Sequence, residues 1–264
     1  MSNVNLNQRG QRLMDLHASG EMLVLPTVWD AWSARLAEEA GFKGITVGSH
    51  PVAEAFGEAD GEHQPFDEYL RQVERIAESV DIPVSVDVES GYGLPPGVLV
   101  TRVLEAGAVG VNIEDTVHGD DGRVRGRQEH ADYIATAVEA AREAGVPFVV
   151  NGRTDALIHG TSVFEDPLGE AIARCQAMVE GGALSVYPVH LPSADAVKAV
   201  VAAVSVPVNV TVMPSTGVPG GILTGTAAGD VARLRELGVR RVSFGPLWQV
   251  ALEDAATAML KEWV

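Results

Sequence analysis

Eight short β-branched runs, each followed by an amphipathic stretch, recur along almost the whole chain. That alternation narrows the fold more than any other feature. The runs are MLVLPTV, GITVGS, PVSVDVE, GVNIED, FVVNGRTD, ALSVYPV, PVNVTVM and RRVSFG. Each is nearly continuously apolar, as expected of parallel strands buried on both faces. Between them lie helical patterns such as WDAWSARLAEEAG, HADYIATAVEAAREAG and DPLGEAIARCQAMVEGG. The tetrapeptides EEAG, LEAG, REAG, VEGG and RELG each close a helix just before a strand, with glycine as the left-handed C-cap. Proline opens several strands, in DIPV, GVPF and SVPV, where its missing N–H is tolerated. Eight strands and eight helices in strict βα alternation over 264 residues predict a (β/α)8 TIM barrel, one α/β domain spanning 1–264. A doubly wound open sheet is the competitor. It usually carries a phosphate-binding glycine turn after its first strand, where this chain reads PTVWDAW.

An apolar fraction of 46% is ample for a large core, and a formal charge of −17 argues against nucleic acid or an anionic membrane as partner. Much of the acid lies along helices such as EYLRQVERIAESVD and reads as solvated surface. A single cysteine, Cys175, excludes an intramolecular disulfide framework. The amino-terminal stretch MSNVNLNQRGQRL is too polar for a secretory signal, and the longest apolar run, residues 198–213, is broken by Pro207. A soluble, cytoplasmic protein is expected.

In a barrel of this kind the site lies at the carboxyl ends of the strands. The polar residues there are Gly48 and Ser49, Asp87 and Glu89, Glu114 and Asp115, Arg153 and Asp155, Tyr187, Asn209 and Thr211, and Ser243. On a strand, residues two apart share a face, so Asp87 and Glu89 are expected to project side by side. Like charges that close need a proton or a cation between them. Acids gathered at strand ends suggest a hard divalent cation such as Mg²⁺.

In their order, GITVGS…AFGEADGE, VSVDVESGYG, EAGAVGVNIED and VVNGRTDALIHG resemble the isocitrate lyase/phosphoenolpyruvate mutase superfamily, over nearly the whole chain. The resemblance implies a Mg²⁺-dependent enzyme, with Mn²⁺ as an alternative ion. It would act on a small α-oxo or α-hydroxy carboxylate, breaking or making a C–C or P–C bond through an enolate-like species. It implies Asp87 as direct metal ligand, with Asp60, Glu89 and Glu114 holding the metal's waters. It places Thr46, Gly48, Ser49 and Asn209 at the substrate, with Arg153 pairing a carboxylate or phosphonate oxygen. It further implies a homo-oligomer, dimer or tetramer. Glu89 stands where the family more often has Asp.

The segment 116–129, TVHGDDGRVRGRQE, is long and charged for a βα loop and is expected to form a mobile lid. The lyase branches carry a Lys-Lys/Arg-Cys-Gly-His motif there, and this chain has no cysteine in it. His118 is the residue of the lid best suited to proton transfer near neutral pH. His50, His159 and His190 also sit near strand ends, and the glycine-rich stretch from Met213 to Gly229 follows the seventh strand. The leading expectation is a lyase, with catalytic roles for Arg153, Glu89 and His118. The alternatives are an oxaloacetate- or phosphonopyruvate-type hydrolase, a phosphonomutase, and a barrel that binds a metal and a small acid without turning it over.

Overall fold

The computed structural model describes residues 3–212 and 231–264. The strands run in order from β1 (Leu23–Leu25) and β2 (Thr27–Val28) to β3 (Ile45–Val47), β4 (Val84–Asp87) and β5 (Gly110–Ile113). A small hairpin of β6 (Thr116–Val117) and β7 (Arg123–Val124) follows. The remaining strands are β8 (Val149–Thr154), β9 (Ser185–Pro188), β10 (Asn209–Thr211) and β11 (Arg241–Ser243). Strands β2-β3-β4-β5-β8-β9 form one parallel sheet and β1-β11-β10 another. A parallel bridge between Val186 and Val208 joins them on one side. On the other, β1 continues into β2 past Pro26, which has no N–H to pair but whose carbonyl still accepts from Thr46 N at 3.0 Å. The ring therefore closes as the (β/α)8 barrel that the alternation predicts, and each of the eight runs supplies a strand position. The stretch from Met213 to Gly229 lies outside the described residues.

The helices depart from strict alternation in three places. α1 (Asn3–Ala18) precedes the first strand and lies across the amino-terminal ends of the barrel. Its Leu13 is fully buried, and a Cβ on Gly110 would come within 2.9 Å of Leu13 Cδ2. α2 (Ala31–Glu39) is the first crossover helix, capped by the Asp30 side chain accepting from Ser33 N. α3 (Ser49–Phe56) is an extra helix at the carboxyl end of β3. α4 (Phe66–Glu78) shows the amphipathic rule clearly: Phe66, Tyr69, Leu70, Val73, Ile76 and Ala77 are buried at helical spacing. α5 (Pro96–Glu105) and α6 (Arg127–Glu143) follow β4 and the hairpin, and a short α7 (Ala156–His159) follows β8. α8 (Pro167–Glu180), α9 (Ala194–Ala203), α10 (Val231–Glu236) and α11 (Leu247–Lys261) complete the outer layer. The glycines closing the tetrapeptide marks, Gly41, Gly107, Gly145, Gly182 and Gly238, all have the positive φ of a left-handed cap.

The segment 116–129 is structured: β6 and β7 pair antiparallel, and its last residues already belong to α6. No helix among the described residues is long and apolar enough to cross a membrane.

Candidate active site

Asp87 is the last residue of β4, and the chain then leaves the strand at once. Glu89, Gly91, Tyr92 and Gly93 all take positive φ, at 49°, 104°, 53° and 65°. This corrects the strand-alternation expectation: Glu89 does not share a strand face with Asp87 but is turned toward it by a left-handed backbone. Such conformations are costly for residues with a Cβ and persist only when their surroundings hold them. Here Glu62 does so. Its Oε1 accepts from Ser90 N at 3.1 Å, Ser90 Oγ at 2.6 Å and Tyr92 N at 2.8 Å. Asp87 Oδ1 adds a bond from Glu89 N at 3.0 Å. Glycine is required at position 91, where a Cβ would fall 2.2 Å from the Tyr133 hydroxyl.

Glu114, just past β5, is buried beside this turn. Arg153 from β8 reaches it with Nη1 2.5 Å from Glu114 Oε2 and 3.8 Å from Asp87 Oδ2. Asp155 steadies the same guanidinium, accepting from Nε at 2.9 Å. Burial works against the Arg153 charge, but Glu114, Asp155 and Asp87 outweigh it and hold its pKa well above the ordinary value. From the hairpin, His118 Nε2 bonds to Glu114 Oε1 and lies 3.6 Å from Glu89 Oε2. The bond to Glu114 is the main cause that raises His118 to about 9.

The acids are crowded. Burial, then the charges of Asp60, Asp87 and Glu114, push Glu89 up to about 8. Burial lifts Glu114 to about 7 against the pull of Arg153, and raises Asp87 as well. Glu89 Oε2 is buried with no hydrogen-bond partner among the described residues. Asp60, from the loop before α4, pairs with His50 Nδ1 at 3.4 Å.

In front of this cluster lies a cavity of about 300 Å³. Its lining includes Thr46, Gly48, Ser49, Asp60, Asp87 and Arg153 from the expected set. Gly48 caps α3 and Ser49 begins it, and both line the cavity, so the positive end of a helix lies at its wall. Glu89, Glu114 and His118 stand behind the lining. Asn209 does not line the cavity: it is buried and donates to Ser243 Oγ at 3.0 Å, one strand layer below Thr211. His190 lines the cavity, whereas His159 is taken up by Thr116 Oγ1 at 3.0 Å. Cys175 is buried in α8, its thiol pushed up by burial.

Sequence reasoning missed the bracing role of Glu62 and the lining residues Thr27, Ile158 and Val189. Nor did it find the structural role of Arg125, in the lid segment. Arg125 in fact clamps the hairpin, donating to Glu114 O at 3.0 Å and Ser90 O at 2.7 Å.

Among the described residues no three His, Cys, Asp or Glu side chains gather tightly enough to ligate an ion together. The donor set nevertheless fits a hard cation held by one carboxylate and, through its waters, by others. Mg²⁺ keeps several waters and takes few protein ligands, and an unpartnered, charge-crowded Glu89 oxygen is what such a hydrated ion would satisfy.

Comparison with known proteins identifies relatives of the whole chain. The phosphoenolpyruvate phosphomutase family matches residues 13–264. The 2-methylisocitrate lyase of Escherichia coli is 31% identical over 195 residues, covering 69% of this chain and 63% of that enzyme. The chain thus spans less than two thirds of that relative's length. A provisionally assigned phosphonomutase structure from Burkholderia cenocepacia J2315 superposes with a TM-score of 0.84 at 35% identity, covering 97% of this chain and all of that one. A phosphonopyruvate hydrolase in complex with oxalate and Mg²⁺ gives 0.78 at 26% identity, covering 96% and 84%.

Proposed function

Because the chain belongs to the phosphoenolpyruvate phosphomutase family, we propose that it is a Mg²⁺-dependent lyase-type enzyme. It breaks or makes a carbon–carbon bond in a small α-oxo or α-hydroxy carboxylate through an enolate-like species. One observation carries this reading: Asp87, Arg153 and the amino terminus of α3 meet around one cavity at the carboxyl end of the barrel, with Glu89 and Glu114 crowded behind them.

Asp87 would hold Mg²⁺, or Mn²⁺ in its place, and Asp60, Glu89 and Glu114 would hold its waters. When bound, such an ion supplies Lewis acidity toward the substrate's α-oxygen. Thr46, Gly48 and Ser49 take the substrate carboxylate, which the α3 terminus favours electrostatically. Arg153, splinted by Asp155, orients a second substrate oxygen without having to reorganise. His118 carries the proton, since its Nε2 already bridges toward Glu114 and Glu89 on an element next to the mouth. The hairpin that bears it acts as the lid, hinged beyond the Arg125 clamp. Asn209 sets the floor beneath Thr211 and Ser243 rather than touching substrate.

The protein acts in the cytoplasm as a homo-oligomer, dimer or tetramer. Support comes from α11, which has no buried residue and leaves Met259 and Leu260 open to solvent.

The reading is tested with Mg²⁺ and a panel of oxaloacetate, phosphonopyruvate and methylisocitrate, followed by proton and phosphorus NMR. One or more should be turned over. Asp87→Ala should keep the fold and lower turnover by on the order of 10³-fold, with Mg²⁺ binding lost by calorimetry. Retained metal affinity in that variant would sink the assignment.

A further inference from the structure

Arg241 on β11 is 1% exposed, and among the described residues it makes no ion pair. Its guanidinium bonds to neutral groups instead: Nη1 donates to Ser185 Oγ at 2.7 Å and Nη2 to Asn112 Oδ1 at 3.4 Å. Ser185 Oγ donates in turn to Asn151 Oδ1 at 2.7 Å, and Asn151 Nδ2 to Asn112 Oδ1 at 2.7 Å. The Asn112 side chain then hydrogen-bonds Asp87. This row follows the strand register, in which Asp87 pairs with Asn112, Asn112 with Asn151, and Asn151 with Ser185. Asn112 also lines the cavity, so the row runs from the closed interior of the barrel to its mouth.

Asn112, Asn151 and Ser185 are buried, at a depth that barrels of this kind usually fill with branched apolar side chains. Stability does not account for them, because well-packed apolar residues in place of a buried charged network are often as stable or more so. What the row has and an apolar layer lacks is direction. A guanidinium only donates, and a carboxylate that binds a metal only accepts. Every link between Arg241 and Asp87 therefore points the same way, and each polarises the next. The amide of Asn112 is where this matters most. Turned with its oxygen toward Asp87, it would repel the carboxylate. Asn151 Nδ2 and Arg241 Nη2 both claim that oxygen, which leaves the N–H groups for Asp87.

Resting on the functional reading above, we infer that Arg241, Ser185, Asn151 and Asn112 are positioning residues for the metal site. Their directed row of hydrogen bonds holds the Asp87 carboxylate in the orientation that receives Mg²⁺. Arg241 never touches metal or substrate and acts only through Asn112.

The experiment is calorimetric titration with Mg²⁺, taken per folded molecule, with the urea midpoint measured beside it. Asn112→Ala should weaken Mg²⁺ by about 10–100-fold, and Ser185→Ala, which cuts the row away from the metal, by about tenfold. Ser185→Thr keeps the hydroxyl and should restore the unaltered affinity. The two losses should not add, since both cuts act through the same amide: the double variant should bind Mg²⁺ as weakly as Asn112→Ala alone. Arg241→Met should match Ser185→Ala, and if it does not fold, the Ser185 pair decides. A Ser185→Ala protein with a lowered urea midpoint and unchanged Mg²⁺ affinity overturns the inference, and so do losses that add. Asp87→Ala keeps the two readings apart. If that variant still binds Mg²⁺, the functional reading fails and takes the inference with it. If it loses Mg²⁺ while Ser185→Ala does not weaken it, the inference alone fails.

Discussion

Glu114 and Asp115 are neighbours in sequence and about equally buried, yet they live in opposite electrostatic worlds. Asp115 accepts from Thr154 Oγ1 at 2.6 Å, from Asp155 N at 2.9 Å and from Arg174 Nη1 at 3.0 Å. Arg174 is in turn tied to Glu170 at 2.8 Å and donates to Arg125 O at 2.8 Å. Donors and lone pairs are matched there, and no ligand could add anything. Glu114 shares its one arginine with Asp87 and Asp155, and Glu89 stands close by with a bare oxygen. A buried acid that is fully matched ties β5 and β8 to α8. A buried acid crowded by other acids is held in reserve for something that binds.

Opposite responses to mutation follow from that contrast. Arg174→Met leaves Asp115 buried without its counter-charge, a loss of about 3–5 kcal/mol of folding stability that urea denaturation would read. Mg²⁺ affinity per folded molecule should not change. Glu114→Gln should do the reverse. Removing one of several repelling charges should leave the denaturation midpoint unchanged or higher. The loss of a water-holding carboxylate should weaken Mg²⁺ by about 10–100-fold. If Glu114→Gln unfolds the protein while Arg174→Met does not, the distinction between the two acids is wrong.

The two neighbours also show what a sequence discloses. The strands were legible because both faces of a parallel barrel are buried, and that leaves continuous apolar runs such as GITVGS with capping glycines between them. The identities of Asp87, Glu114 and Arg153 at strand ends were legible for the same reason. The role of Glu62 was not, because it braces residues 28 and 30 positions away through a turn whose left-handed φ values leave no periodic trace. Nor was the placement of Asn209. A residue two positions before the strand end points the same way as Thr211 but one layer deeper, and only the barrel's depth separates floor from foundation. α1 escaped because its polar face, seen as NVNLNQRGQRL, hides the few residues, Leu13 above all, that plug the barrel's base.

That base offers the smallest and cleanest contrast with the mouth. At the mouth, crowding of like charge contributes to the shifted pKa values; at the base, exclusion of water does most of it. His17 on α1 donates Nδ1–H to Leu13 O at 2.8 Å, and its Nε2 is buried without a partner among the described residues. Burial, then the nearby Arg241 charge, lowers its pKa to about 3. A histidine depressed in the folded state contributes stability that is present above its unfolded pKa, near 6.5, and is lost as pH falls toward the folded value. Between pH 7.5 and 5.5 the wild-type chain should therefore lose about 1.4 kcal/mol through His17 alone. In His17→Gln that proton has nowhere to bind, while every contribution from the mouth is common to both proteins. The stability gap between wild type and variant should close by about 1.4 kcal/mol over those two pH units. A gap that stays constant would mean that His17 is already reached by water, and that the seal α1 makes across the barrel's base is looser than its packing shows.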